Sequence, residues 1–299
     1  MSPTIVTRTV CAAFFSLFLV VSPSCKNEVI SPAGGSTTGG FESGLLVNHT
    51  TTDLALIPSF TIGLAKANLC IAYGHTSHGS QLVTGMAGLV SFKGPLYEFN
   101  GTGSGGVLQL RDSPFYGALD LGNPDRTAWE IATRSYLDSH PEVNVVLWSW
   151  CGQVSDATEA DINTYLGLMS GLERDYPSVW FVYMTGHVDG SGLTGNLHLR
   201  NEQIRQYCTA NEKILFDFAD IECYDPDGAY FGDKMPNDNC DYDSDGNGTR
   251  DRNWAEEWQT DHPGEWYDCT AAHTRPLNAN LKAYAAWWLW ARLAGWDGQ

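Results

Sequence analysis

The chain has 299 residues, enough for one large core, and its composition of 43% hydrophobic and 12% aromatic residues excludes a disordered protein. Thirty-five acidic residues against 17 Lys plus Arg leave a formal charge of −18. That balance argues against a nucleic-acid partner, because phosphate binding needs a basic face.

The first 25 residues read as an export signal. Arg8 precedes an apolar run over residues 10–21, long enough for a signal core and too short for a membrane span. Cys25 follows at once and is a candidate lipid-attachment site of the bacterial lipoprotein kind. Residues 26–45 are rich in Gly, Ser and Thr and read as a flexible tether, so the folded domain is expected over 46–299. Six cysteines remain beyond Cys25, an even number that suits disulfides in an exported protein. At least one bridge is expected among Cys223, Cys240 and Cys269. Zinc-type CxxC spacing does not occur.

Residues 69–73 form an apolar run of strand length that breaks at Gly74 into His75-Thr76-Ser77-His78-Gly79-Ser80. Leu82, Met86, Leu89 and Val90 then recur at helical spacing. Strand, tight turn and helix start is an arrangement that exposes a nucleophile beside the free N–H groups of a helix N-terminus. Residues 99–106 are a Gly-rich loop suited to close backbone approach. A helix is expected over 125–137 and a doubly buried strand over 143–150, ending in Cys151-Gly152-Gln153. Thr158 and Asp161 make a capping-box variant ahead of a helix to about Arg174. A strand over 178–184 ends in Thr185-Gly186-His187-Val188-Asp189-Gly190, a helix covers 197–208, and a fourth strand covers 213–218. The last helix spans 277–293, carrying Trp287, Trp288 and Trp290 as core.

Continuously apolar strands alternating with helices predict an α/β fold with a mainly parallel sheet covered on both faces, a three-layer α/β/α sandwich of flavodoxin-like type. The polar clusters then meet at the carboxyl ends of the strands. Residues 221–275 break the pattern and read as an irregular acidic insertion before the C-terminal helix. Within it Asp241, Asp243, Asp245, Asn247 and Asp251 surround Gly246 in a spacing that suits a structural calcium ion. No organic cofactor is expected.

Ester hydrolysis at serine requires a hydroxyl, a nearby base and donors for the oxyanion. Ser77, at the turn apex, is the expected nucleophile; His75, His78, His187 and His273 are candidate bases. Strand, G-x-x-S-x-G turn, helix, and a late His before a terminal helix resemble the SGNH/GDSL esterase superfamily over residues 69–293. The resemblance implies Ser77 as nucleophile and His273 as base. It implies oxyanion donors at Gly105 or Gly106 and at Gln153, which stands where the family has Asn. The family places Asp three residues before the histidine; here Thr270 holds that position, so either a Ser–His dyad or Asp268, five residues before His273, must serve.

The expectation is therefore an exported hydrolase of carboxylic esters, acting on a small molecule or on acyl groups of extracellular glycans, with no membrane span. Two rivals stand beside it. One is a non-catalytic, calcium-stabilised surface protein that binds glycans or a partner on the same fold. The other is an enzyme in which His75, His78 and His187 hold a transition metal.

Overall fold

The structure, a computed structural model, describes Met1 and residues 44–299. The expected signal over 1–25, Cys25 and nearly all of the tether lie outside the described residues. Residues 44–299 belong to one compact unit. It opens with β1 (Leu45–Val47), α1 (Ser59–Asn68), β2 (Cys70–Gly74) and α2 (Ser80–Lys93). There follow β3 (Phe99–Asn100), β4 (Leu108–Asp112), α3 (Ala128–Ser139), β5 (Val145–Trp148), α4 (Glu159–Asp175) and β6 (Trp180–Met184). The chain continues through α5 (Asn196–Ala210), β7 (Ile214–Phe216) and α6 (Phe218–Ile221). The acidic segment holds β8 (Asp241–Tyr242), β9 (Arg252–Asn253) and α7 (Trp254–Asp261), and α8 (Pro276–Leu293) closes the fold.

Seven strands form one sheet in the order β1-β7-β6-β5-β2-β4-β3, every pairing in it parallel. β8 and β9 make a separate antiparallel pair. The α/β/α sandwich expected from the alternation is the fold observed. Side chains alternate across each strand. Ile71, Tyr73, Val145, Leu147, Val182 and Met184 bury one face under α1, α2 and α8. Ala72, Val146, Trp148, Phe181 and Tyr183 bury the other under α3, α4 and α5. Both faces are dry, which is why the strands read as unbroken apolar runs.

Local signals explain the elements. Thr158 and Asp161 form the reciprocal capping box that starts α4. Pro276 opens α8, where its missing N–H costs nothing, and the helix is buried along nearly its whole length. Among the described residues no helix is long and apolar enough to cross a membrane.

After β2 the chain moves to one side of the sheet to build β3 and β4, then returns to lay β5 on the other side of β2. The carboxyl ends of β2 and β5 are therefore a topological switch point, where an open α/β sheet leaves a crevice. Two glycines let this edge close up. A Cβ on Gly74 would stand 2.3 Å from the Trp148 ring, and one on Gly79 would stand 2.1 Å from Ser149 Oγ.

Candidate active site

The turn after β2 is held by its own bonds. Tyr73 Oη donates to the Gly79 carbonyl at 2.9 Å, Ser80 N to Thr76 O at 3.0 Å, and Ser80 Oγ to Ser77 O at 2.6 Å. This fixes His78 and Ser77 above the ends of β2 and β5. Ser77 Oγ lies 3.7 Å from Cys151 Sγ. His78 Nδ1 lies 3.2 Å from the same sulfur, and its Nε2 lies 3.0 Å from Asp238 Oδ2.

A carboxylate only accepts, so Asp238 keeps the proton on Nε2 and leaves the Nδ1 lone pair facing the thiol. A thiol, an imidazole and a carboxylate thus stand in series. Burial pushes the His78 pKa below its ordinary value. The Asp238 hydrogen bond opposes that push, while His187 and His273 add to it. Burial alone would raise the Asp238 carboxyl; the His78 hydrogen bond and the nearby imidazoles outweigh it, and the net shift is downward.

His78 is the middle ring of three. His187 stacks on it at 3.7 Å with an interplanar angle of 1°, and His273 stacks at 4.4 Å and 14°. The late histidine before α8 therefore does return to the edge where Ser77 sits, exposed and with φ at +63°. The carboxylate that joins it is Asp238 rather than the expected Asp268: donor atoms of His78, Asp238 and His273 all lie within 4.8 Å of one another. Asp268 is exposed on the approach to His273.

The expected oxyanion donors are placed differently. Gly105 and Gly106 lie in the loop that enters β4 at its amino end, so the whole strand separates them from the carboxyl edge, and open space surrounds both. Gln153 does reach the site, but its amide is committed. Nε2 donates to Asp120 at 3.0 Å, and Oε1 accepts from Cys151 N at 2.9 Å. Asp120 is almost fully buried and also accepts from Thr76 Oγ1 at 2.8 Å and Gly122 N at 2.9 Å. Gln153 therefore locates Cys151. His75 faces away from the stack, with Nε2 2.6 Å from Asp112 and Nδ1 2.9 Å from Thr76 O, so His75, His78 and His187 do not form the expected ligand trio.

A buried network supports the stack from below. Lys282 Nζ on α8 meets Glu222 at 2.6 Å and also donates to Gln81. Glu222 accepts from Val188 N at 2.6 Å, beside His187, and Gln81 Nε2 donates to Ala272 O at 2.7 Å, beside His273. Burial pulls the Lys282 ammonium pKa down, and Glu222 opposes that. Two outer histidines thus hang on one ion pair.

The acidic loop turns its oxygens inward. Asp243 accepts from the N–H groups of Gly246, Asn247 and Gly248, and Asp251 from both Ser244 N and Oγ. Those backbone donors hold the Asp243 carboxyl below its usual range. Asp245 accepts from Asn247 N, and Asn247 from Thr249 N. Asp241 stands apart, bound by the side-chain amides of Asn237, Asn239 and Asn253.

The six described cysteines are all unbridged, Cys223, Cys240 and Cys269 included, so the expected disulfide is not formed. Two of the three have other neighbours: Cys240 Sγ lies beside Thr274 Oγ1 and Cys269 Sγ beside Asn280 Nδ2. Two members of the site escaped the sequence reading. Cys151 is one of six cysteines that suit bridges, and Asp238 lies within the irregular acidic segment 221–275. No protein-family model and no curated protein matches this sequence.

Proposed function

We propose that this protein is a hydrolase of carboxylic esters whose nucleophile is Cys151, with His78 as base and Asp238 as its orienting partner. The observation that carries the reading is His78 bridging Cys151 Sγ at 3.2 Å and Asp238 at 3.0 Å. As sulfur attacks the acyl carbon, the thiol proton passes to His78 Nδ1. The tetrahedral intermediate collapses, the C–O bond breaks, and His78 returns that proton to the departing alcohol. Water then cleaves the thioester, with His78 taking its proton and passing it back to the thiol. The first N–H groups of α2 are spent on the Thr76, His78 and Gly79 carbonyls, so the oxyanion donors in this scheme are the backbone N–H groups of the turn ahead of it, residues 77–79.

A cavity of 340 Å³ opens next along the sheet edge, lined by Val188, Asp189, Glu202, Arg205, Tyr224 and Tyr230 among others. Arg205 is already bound to Asp217 and Glu202. With its guanidinium spent, the cavity favours neutral, hydroxyl-bearing substrates over anions, in keeping with an acylated glycan. The calcium role of loop 241–251 belongs to the same proposal, since each carboxylate oxygen that accepts one N–H keeps a second acceptor site.

A second reading has its own support. Ser77 is the nucleophile if His273, brought over the same edge by its stacking on His78, swings to the hydroxyl. Hydrolysis of p-nitrophenyl acetate by Cys151→Ala and Ser77→Ala separates the two. Loss in Cys151→Ala alone, with iodoacetamide labelling of Cys151 in the parent, is the expected result. Full activity in Cys151→Ala would refute the thiol mechanism.

A further inference from the structure

The stack holds more donor capacity than the relay uses. His187 is only 8% exposed, and its Nδ1 lies 2.8 Å from the Val188 carbonyl. A carbonyl cannot donate, so Nδ1 carries the proton and Nε2 carries a lone pair. That Nε2 is buried and meets no hydrogen-bond donor. Nearby, His78, Asp238 and His273 already bring one donor atom each to within 4.8 Å of the others. His273 reaches that place with its backbone in the left-handed region, φ +63°.

Imidazole nitrogens with one carboxylate suit zinc, cobalt or iron; calcium and magnesium want oxygens alone. We propose that His78, Asp238 and His273 bind one divalent transition-metal ion, with His187 Nε2 as the fourth donor. Bonds of about 2.0–2.1 Å at a tetrahedral centre bring ligand nitrogens to roughly 3.3 Å from one another. The stacked rings must therefore splay on binding, and His273, exposed on its loop, is the member free to turn.

The ion and the relay exclude each other. Coordination through His78 Nε2 requires that nitrogen to be bare, so the ring's proton moves to Nδ1, the atom that has to accept from Cys151. Metal binding thereby silences the base. This regulatory half rests on the hydrolase reading; the binding half does not.

Metal-stripped protein is titrated with Co²⁺ and with Zn²⁺, following Co²⁺ visible absorption and calorimetric heat. One equivalent is expected, with the intense d–d bands of a four-coordinate site. His273→Gln and His187→Gln, with folding checked by circular dichroism, should each weaken binding roughly tenfold or more. Absence of d–d bands and of heat, or unchanged affinity in both variants, overturns the site. In parallel, Zn²⁺ should lower ester hydrolysis in step with occupancy. Activity that disappears on stripping and returns with Zn²⁺ would overturn the inhibitory role while leaving the binding intact.

Discussion

Replacing Lys282 with Met tests whether the ion pair beneath the histidines holds the fold together. Lys282 and Glu222 are both completely inaccessible to solvent. Methionine fills similar volume but removes the ammonium, leaving Glu222 with a buried charge and Gln81 Oε1 without its donor. Breaking one partner of such a pair costs about 3–5 kcal/mol. In a domain of this size each kcal/mol moves Tm by about 2–4 °C, so the variant should melt roughly 6–20 °C below the parent. Adding Glu222→Gln removes the orphaned charge while keeping an acceptor for Val188 N, and should recover at least half of the loss. Thermal and urea unfolding followed by circular dichroism measure both effects. A Lys282→Met protein melting alongside the parent, or a double variant no better than the single, would refute the argument.

Further outcomes follow from the same geometry. Asp238→Asn should leave folding nearly intact and lower kcat by about 10²–10⁴-fold, because the amide no longer fixes the His78 tautomer; steady-state kinetics with p-nitrophenyl esters decide it. In metal-free protein the acid limb of kcat/KM should fall below the ordinary histidine value of 6.5, since the His78 pKa is lowered. Both lowered groups also weigh on stability from the acid side. The His78 contribution is full above pH 6.5, the Asp238 contribution above 3.8, and each is lost as pH falls through its folded value. Gly79→Ala places a methyl 2.1 Å from Ser149 Oγ and should cost both activity and Tm, whereas Gly105→Ser, in open space, should leave kcat unchanged. Calcium at about a hundredfold over its Kd should add about 2.7 kcal/mol, raising Tm by roughly 5–10 °C; a melting curve indifferent to both calcium and chelator would remove calcium from the 241–251 loop.

The scaffold was legible because its signals are local. The break at Gly74, the Thr158–Asp161 box and the apolar runs of β5 and β6 each declare themselves within a dozen residues. β1 was not legible: three residues owe their strand to pairing with β7, far along the chain. The site was legible by strand end and not by atom. Ser77, His78, Gln153, His187 and His273 do converge, yet Asp238 arrives from a segment whose acidic spacing suggests a cation loop. The even cysteine count concealed Cys151, because thiol number says nothing about which imidazole a thiol meets. Gly105 and Gly106 went astray because a Gly-rich loop does not announce which end of a strand it serves.

α8 comes after every strand of the sheet in chain order, and it carries Lys282 inside it while covering one face of that sheet. Until α8 has been synthesised, that face has no lid and Glu222 has no counter-ion. Chains that stop before Pro276 should therefore stay sticky and inert, and chaperones and proteases should recognise them as unfinished.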